Sequence, residues 1–266
     1  MCSSDLGFLV AATLADAQAL RFQTVVMRRA ADGAAAQGED GPLDAFLPAR
    51  EDGVGQVHPA VASAADKTPW LAWERSPDEG QGDAQVVFGT LGAWGDPMDP
   101  APVAFPDAAI PSTGATLAAA SGESPVVVLA ASVGAADPAI RLRSVAPDRG
   151  ASDLVLDGPG RIDVSPAVAL DPGGLAGLVG WYRMRAGYLA DVVVQPFRRI
   201  GGALVARGDE VVLNPAGMMD KHDAIAPYPL AVTSVGAGRF LVSWVERRTS
   251  AESGTEYHVR SRFVGP

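Results

Sequence analysis

Between Ser165 and Leu213 the chain reads Pro166-Ala167-Val168-Ala169, then Leu178-Val179-Gly180-Trp181, then Val192-Val193-Val194-Gln195-Pro196-Phe197, then Glu210-Val211-Val212-Leu213. Each piece is a short run of β-branched and aliphatic residues. Between them stand turn residues, as in Asp171-Pro172-Gly173-Gly174. Runs of this length bounded by Gly, Pro and Asp predict antiparallel strands joined by tight turns. Helical periodicity is scarce elsewhere too; the best candidate, Ala15 to Leu20, is too short to stand unaided.

The pattern recurs along the whole chain. Gly7 to Ala11, Trp70 to Trp73, Val126 to Leu129, Leu178 to Trp181 and Phe240 to Trp244 align with Ala12, Trp73, Leu129, Trp181 and Trp244 in one column. The spacings in that column are 61, 56, 52 and 63 residues. A Pro-led strand precedes three of the runs, at Pro59, Pro166 and Pro229, with 14, 15 and 15 residues from proline to tryptophan. A third strand follows in every unit: Phe22 to Met27, Ala84 to Phe88, Ile140 to Val145, Val192 to Phe197 and Tyr257 to Phe263. Three or four antiparallel strands per unit of this length match the arithmetic of a propeller blade.

Units of the form Pro-x-Val-Ala, Gly-x-x-Leu-Val-x-Trp and Asp-x-Val-x-x-x-Phe resemble the blade repeats of bacterial secreted or surface β-propellers. The best copies are Ser165 to Leu213 and Ala226 to Phe263; the unit from Asp107 to Leu156 is degenerate, with Leu129 in the tryptophan column. The resemblance implies an all-β propeller of about five blades: 7–55 in part, 56–106, 107–160, 161–220, and 221–266 in part. It departs from the WD40, kelch and sialidase patterns, lacking a Trp-Asp dipeptide, a phased Gly-Gly pair and a Ser-x-Asp-x-Gly-x-x-Trp box. The phase of the repeat leads us to expect a propeller incomplete at both ends. Residues 1–6 read as a non-native scar, since Cys2-Ser3-Ser4-Asp5-Leu6 matches a translated sequencing adapter. Cys2 is the single cysteine, so a disulfide framework within the chain is excluded.

A net charge of −10 excludes nucleic acid and anionic membrane surfaces, which select a basic face. No apolar stretch reaches the ~18–20 residues of a membrane-spanning helix. The expected product is a monomeric, secreted or cell-surface module that binds a protein or a glycan without catalysis.

Several residues invite chemistry. Trp73, Trp181 and Trp244 share the repeat column and are expected in the core; Trp94, off phase in a Gly-rich loop, is the candidate for an exposed contact. Asp78 and Asp83 flank Glu79-Gly80-Gln81-Gly82, where alternating oxygen ligands suit calcium. A solvated hairpin explains the same composition. Met218 to Asp223 gathers His222 between carboxylates and reads as a polar loop. Asp107, Asp163 and Asp223 are each read as lying three to six residues before the first strand of a unit. If they converge at a channel mouth they offer the paired carboxylates of a glycoside hydrolase, the alternative to a binding module. An ordinary turn aspartate is the competing explanation. Arg207-Gly208-Asp209 is an integrin-type tripeptide attributed to chance, and no nucleophile elbow, P-loop or dinucleotide fingerprint is present.

Overall fold

The computed structural model describes residues 8–16, 21–29, 37–38, 41–42, 54–63, 68–77, 83–91, 102–120, 126–146, 149–156, 160–185, 190–214, 230–250 and 254–265. Among them the only regular elements are strands, so no helix there is long and apolar enough to cross a membrane. Sheet I pairs β1 (Phe8–Asp16) with β2 (Arg21–Arg29), and a two-residue ladder joins β3 (Gln37–Gly38) to β4 (Gly41–Pro42). Sheet II is the meander β5 (Val54–Ser63), β6 (Pro69–Pro77), β7 (Gln85–Thr90), β8 (Val103–Phe105). Sheet III runs β9 (Ser112–Ala119), β10 (Val127–Val133), β11 (Ala139–Ala146), β12 (Arg149–Leu156). Sheet IV holds β13 (Ile162–Leu170), β14 (Ala176–Met184), β15 (Ala190–Ile200), β16 (Ala203–Ala206) and β17 (Val211–Val212); sheet V holds β18 (Leu230–Gly236), β19 (Arg239–Ser250) and β20 (Gly254–Val264). All pairings are antiparallel between strands close in sequence, so none requires a crossover connection.

Turn chemistry sets these meanders locally. Between β13 and β14, Asp171 Oδ1 accepts hydrogen bonds from Leu175 N (2.9 Å) and Ala176 N (3.1 Å). Between β15 and β16, Gly201 and Gly202 have φ of 60° and 96°, the two left-handed residues that a type I′ hairpin turn requires. The outer strand of sheet IV is split. The expected strand at Glu210 to Leu213 is present only as β17, and β16, which the sequence pattern did not reveal, pairs with the far end of β15.

The sheets stack in chain order. The first strand of each lies against the preceding sheet: β5 on β1 and β2, β9 on β5 and β6, β13 on β9 and β10, β18 on β13 and β14. An apolar core fills every gap. Trp73 and Leu71 meet Val26 between sheets I and II, and Leu129 and Val127 meet Trp70 and Phe88 between II and III. Trp181 and Val179 meet Val128 and Ile140 between III and IV, and Trp244 and Val242 meet Tyr182 and Leu178 between IV and V. Strand β14 therefore serves two cores, Trp181 and Val179 on one face and Leu178 and Tyr182 on the other. This explains why the strands read as continuous apolar runs rather than alternating ones. The column residues Trp73, Leu129, Trp181 and Trp244 are all buried, as expected, and each such side chain contributes about 1.5–3 kcal/mol through burial. Gly177 marks the tightest approach: a Cβ there would lie 2.2 Å from Phe197 Cζ and 2.8 Å from Ala169 O.

The first strands of sheets II, III and IV share a bulge. Register slips between Val57 and Ala60 in β5, and between Val164 and Ala167 in β13; in β9 it slips opposite Ala130 and Ser132. The left-handed residues are His58 (φ 52°), Gly114 (φ 68°) and Ser165 (φ 54°), and Pro59 and Pro166 follow two of them. Proline has no N–H for the ladder and suits a bulge in an edge strand. One expectation is corrected here. Asp163 does not precede the first strand of its unit but lies within β13, because that strand continues through the bulge instead of starting at Pro166.

Candidate functional site

The head of each bulged strand carries a buried polar residue in the same place: Gln56, Ser112 and Asp163, three residues before Pro59, Ala115 and Pro166. Two of them cap an amide of the preceding sheet. Thr24 N donates to Gln56 Oε1 (3.4 Å), and Val86 N donates to Ser112 Oγ (2.8 Å), which itself donates to Phe105 O (2.6 Å). The backbone repeats the stitch: Ser112 N donates to Ala84 O (2.8 Å) and Asp163 N to Pro138 O (2.9 Å). Ser132 Oγ reaches across to Asp163 O (2.7 Å). Glu74 Oε1 accepts from Gly114 N (2.7 Å) and lies 3.0 Å from His58 Nδ1, so one carboxylate joins the bulges of sheets II and III. Buried polar groups are costly unless bonded, and these bonds are spent between sheets.

Asp163 heads the most charged of these clusters. Its Oδ1 and Oδ2 accept from Arg183 Nε (2.9 Å) and Nη2 (3.0 Å). The same guanidinium donates through Nη1 to Glu210 Oε2 (2.7 Å) and through Nη2 to Glu210 Oε1 (3.0 Å), and it sits 5.6 Å from the Trp181 ring centre. Arg161 adds a bond to Glu210 Oε2 at 3.2 Å. Burial disfavours the Arg183 charge, but the hydrogen bonds to Glu210 and Asp163, with their charges, outweigh it and hold its pKa above the ordinary value. The hydrogen bond from Arg183 leads the causes that keep the Glu210 carboxyl below its usual range, against the opposing effect of burial. Burial also pushes the Tyr182 hydroxyl up, partly offset by a hydrogen bond with the backbone of Val245.

The candidate carboxylates are therefore placed differently from one another. Asp107 is exposed and closes its own turn: Oδ1 accepts from Ala109 N (2.9 Å), and its carbonyl accepts from Ile110 N (3.2 Å) and Gln85 Nε2 (3.1 Å). Asp163 is buried and engaged at both oxygens. Asp223 lies outside the described residues, as do Asp78 and Trp94. Asp83 is exposed just before β7, and among the described residues no three His, Cys, Asp or Glu side chains gather as a metal site requires. Arg207, Gly208 and Asp209 are exposed in the break between β16 and β17. Their backbone is held from below by the buried Gln195, whose Nε2 donates to Arg207 O (3.3 Å) and Gly208 O (3.1 Å). Sequence reasoning missed Arg183, Glu210, Gln56 and Ser112. The usable signal was a polar residue three positions before Pro59 and Pro166.

No protein-family model matches the chain, and no curated protein matches it. Among solved structures it is similar to a crystal structure of a protein of unknown function from Dyadobacter fermentans DSM 18053. The two are 10% identical at a TM-score of 0.53, over 96% of this chain and 78% of that one. A subtype N11 neuraminidase-like protein of A/flat-faced bat/Peru/033/2010 (H18N11) overlaps at a TM-score of 0.28 with 7% identity, over 82% of this chain and 92% of that one, too loosely to bear on fold or function. The first likeness shows a shared fold alone.

Proposed function

We propose that the chain is a run of β-propeller blades serving as a non-enzymatic binding or structural module of a bacterial secreted or cell-surface protein. The blade reading is supported by meanders that follow one another in chain order, each laying its first strand on the sheet before it. One observation carries the non-enzymatic part. The buried polar residues at the strand heads are all consumed: the Gln56 and Ser112 side chains bond the preceding sheet, and both Asp163 carboxylate oxygens are taken by Arg183 of its own sheet while its backbone bonds the preceding one. A general acid or base needs a carboxyl within reach of substrate, and Asp163 has both oxygens on Arg183. The acidic surface points to a neutral glycan or a basic protein face as the partner.

The test incubates the purified chain with a panel of neutral and acidic polysaccharides. Retention on immobilised glycan and release of reducing ends are measured in parallel. Retention without new reducing ends is expected. Release of reducing ends that disappears in Asp163→Asn would overturn the reading in favour of a glycoside hydrolase.

A further inference from the structure

The outer strand of sheet IV breaks at a defined place. Ala206 pairs with Phe197 and Val211 with Val194, so four residues, Arg207 to Glu210, span the two, Gln195 and Pro196, between those partners. Proline is the cause. Pro196 O accepts from Arg207 N (2.8 Å), but Pro196 has no N–H to return to Arg207 O. The buried Gln195 supplies the missing donor: its Nε2 donates to Arg207 O (3.3 Å), Gly208 O (3.1 Å) and Pro196 O (3.0 Å). On the far side of the break, Glu210 is anchored on Arg183 and Arg161. Between these two anchors the chain bends at Gly208, whose φ is 72° and whose Cβ position meets open space. Arg207, Gly208 and Asp209 are all exposed. Among the described residues the Arg207 and Asp209 side chains have no hydrogen-bond or ion-pair partner, whereas the nearby Arg161, Arg183 and Glu210 are all paired.

We propose that this loop is an adhesion site, presented to a receptor of the integrin type that takes arginine in an acidic pocket and aspartate on a bound divalent cation. Read from the sequence alone the tripeptide is attributed to chance; the fold gives it a fixed backbone and two side chains left unused. A guanidinium without partners offers a receptor carboxylate two parallel hydrogen bonds. A carboxylate without partners offers hard oxygen ligands to a magnesium or calcium ion held by the receptor. Gly208 places no side chain between them, so the receptor can approach the backbone closely. Because a buried amide pins the bend from below, the loop loses little freedom on binding. Recognition residues commonly sit on such loops, positioned by a rigid scaffold. The site is separate from the glycan or protein face proposed above and does not depend on it.

Surface plasmon resonance of the full chain over an immobilised vitronectin-receptor integrin ectodomain, in magnesium buffer, tests it. Saturable binding is expected, abolished by EDTA and weakened at least about tenfold by Asp209→Glu, which moves the carboxylate by one methylene relative to the cation. An unchanged unfolding midpoint for that variant shows that its fold is intact, as expected for an exposed side chain. A synthetic peptide spanning residues 204–212 is expected to compete at least about tenfold more weakly than the chain, since it must order the bend on binding. Absence of binding overturns the proposal. So does binding that survives EDTA or Asp209→Glu, because the receptor then holds another surface. Equal potency of the peptide overturns it too, because the clamp at Gln195 then adds nothing.

Discussion

Replacing Arg183 by Met keeps the aliphatic stem beside Trp181 and removes the guanidinium from between Asp163 and Glu210. The two carboxylates then fare differently. Glu210 is partly solvated, its side chain 26% exposed, and regains water; Asp163, at 2%, does not. Removing one partner of a buried ion pair leaves an uncompensated charge and costs about 3–5 kcal/mol. For a domain of this size each kcal/mol lowers the melting temperature by about 2–4 °C, so a fall of about 6–20 °C is expected. Asp163→Asn alone should cost less, about 1–2 kcal/mol, since Arg183 keeps Glu210 and the loss is one hydrogen-bonded charge. The decisive sample is the double variant Asp163→Asn/Arg183→Met, which removes the stranded charge. It should recover part of the Arg183→Met loss, giving a coupling of about 1–3 kcal/mol in a double-mutant cycle read by urea unfolding. If Arg183→Met costs under about 1 kcal/mol, or the double variant is no more stable than Arg183→Met, the buried clasp is not what holds the head of β13 to the end of β14.

Two further outcomes follow from the same structure. Gly177→Ala should destabilise by at least about 2 kcal/mol in thermal unfolding, because a Cβ meets both the Phe197 ring and the Ala169 carbonyl, and backbone cannot step aside; wild-type stability would mean that β13 and β14 lie farther apart. Glu210, its pKa lowered from 4.5 chiefly by the Arg183 hydrogen bond, stabilises the fold above its unfolded value and loses that contribution as the pH falls through its folded value. Stability should therefore decline below about pH 4.5, and Glu210→Gln should flatten that decline; an identical acid slope in the variant would refute the assignment.

The strands were legible because they rest on local rules. Apolar runs between Gly, Pro and Asp locate strands, and the column through Trp73, Leu129, Trp181 and Trp244 picks residues that are in fact buried between sheets. Sheet III shows the limit of that reading in the other direction. Its sequence lacks both the proline and the tryptophan, yet its four strands are complete, because Leu129 fills its gap beside Trp70 and Phe88. The candidate aspartates were less legible. Counted along the sequence to the repeat's proline or the residue in its place, Asp107 stands eight residues before Ala115, Asp163 three before Pro166 and Asp223 six before Pro229. They are thus not equivalent positions of one repeat, and acidic residues near turns are common in so acidic a chain. The polar residues that do repeat, Gln56, Ser112 and Asp163, differ in type, so no motif drew attention to them.

The sequence by itself determined most of the longer strands and their order, since apolar runs and turn chemistry need only neighbours along the chain. Which polar groups meet was decided only by tertiary structure, and the bulge in β13 shows why. From the turn outward, Val168 pairs with Val179 and Ala167 with Gly180; continued without a slip, that count sets Met184 opposite Asp163. The extra residue at Ser165-Pro166 shifts the register by one and brings Arg183 there instead. That slip sits where the bulge of β13 packs on the bulge of β9, with Pro166 Cδ placed 3.2 Å from a Cβ built on Gly114. A one-residue shift turns every following side chain to the opposite face. The clasp of Asp163, Arg183 and Glu210 is therefore a property of the bulged register of β13, not of any one stretch of sequence.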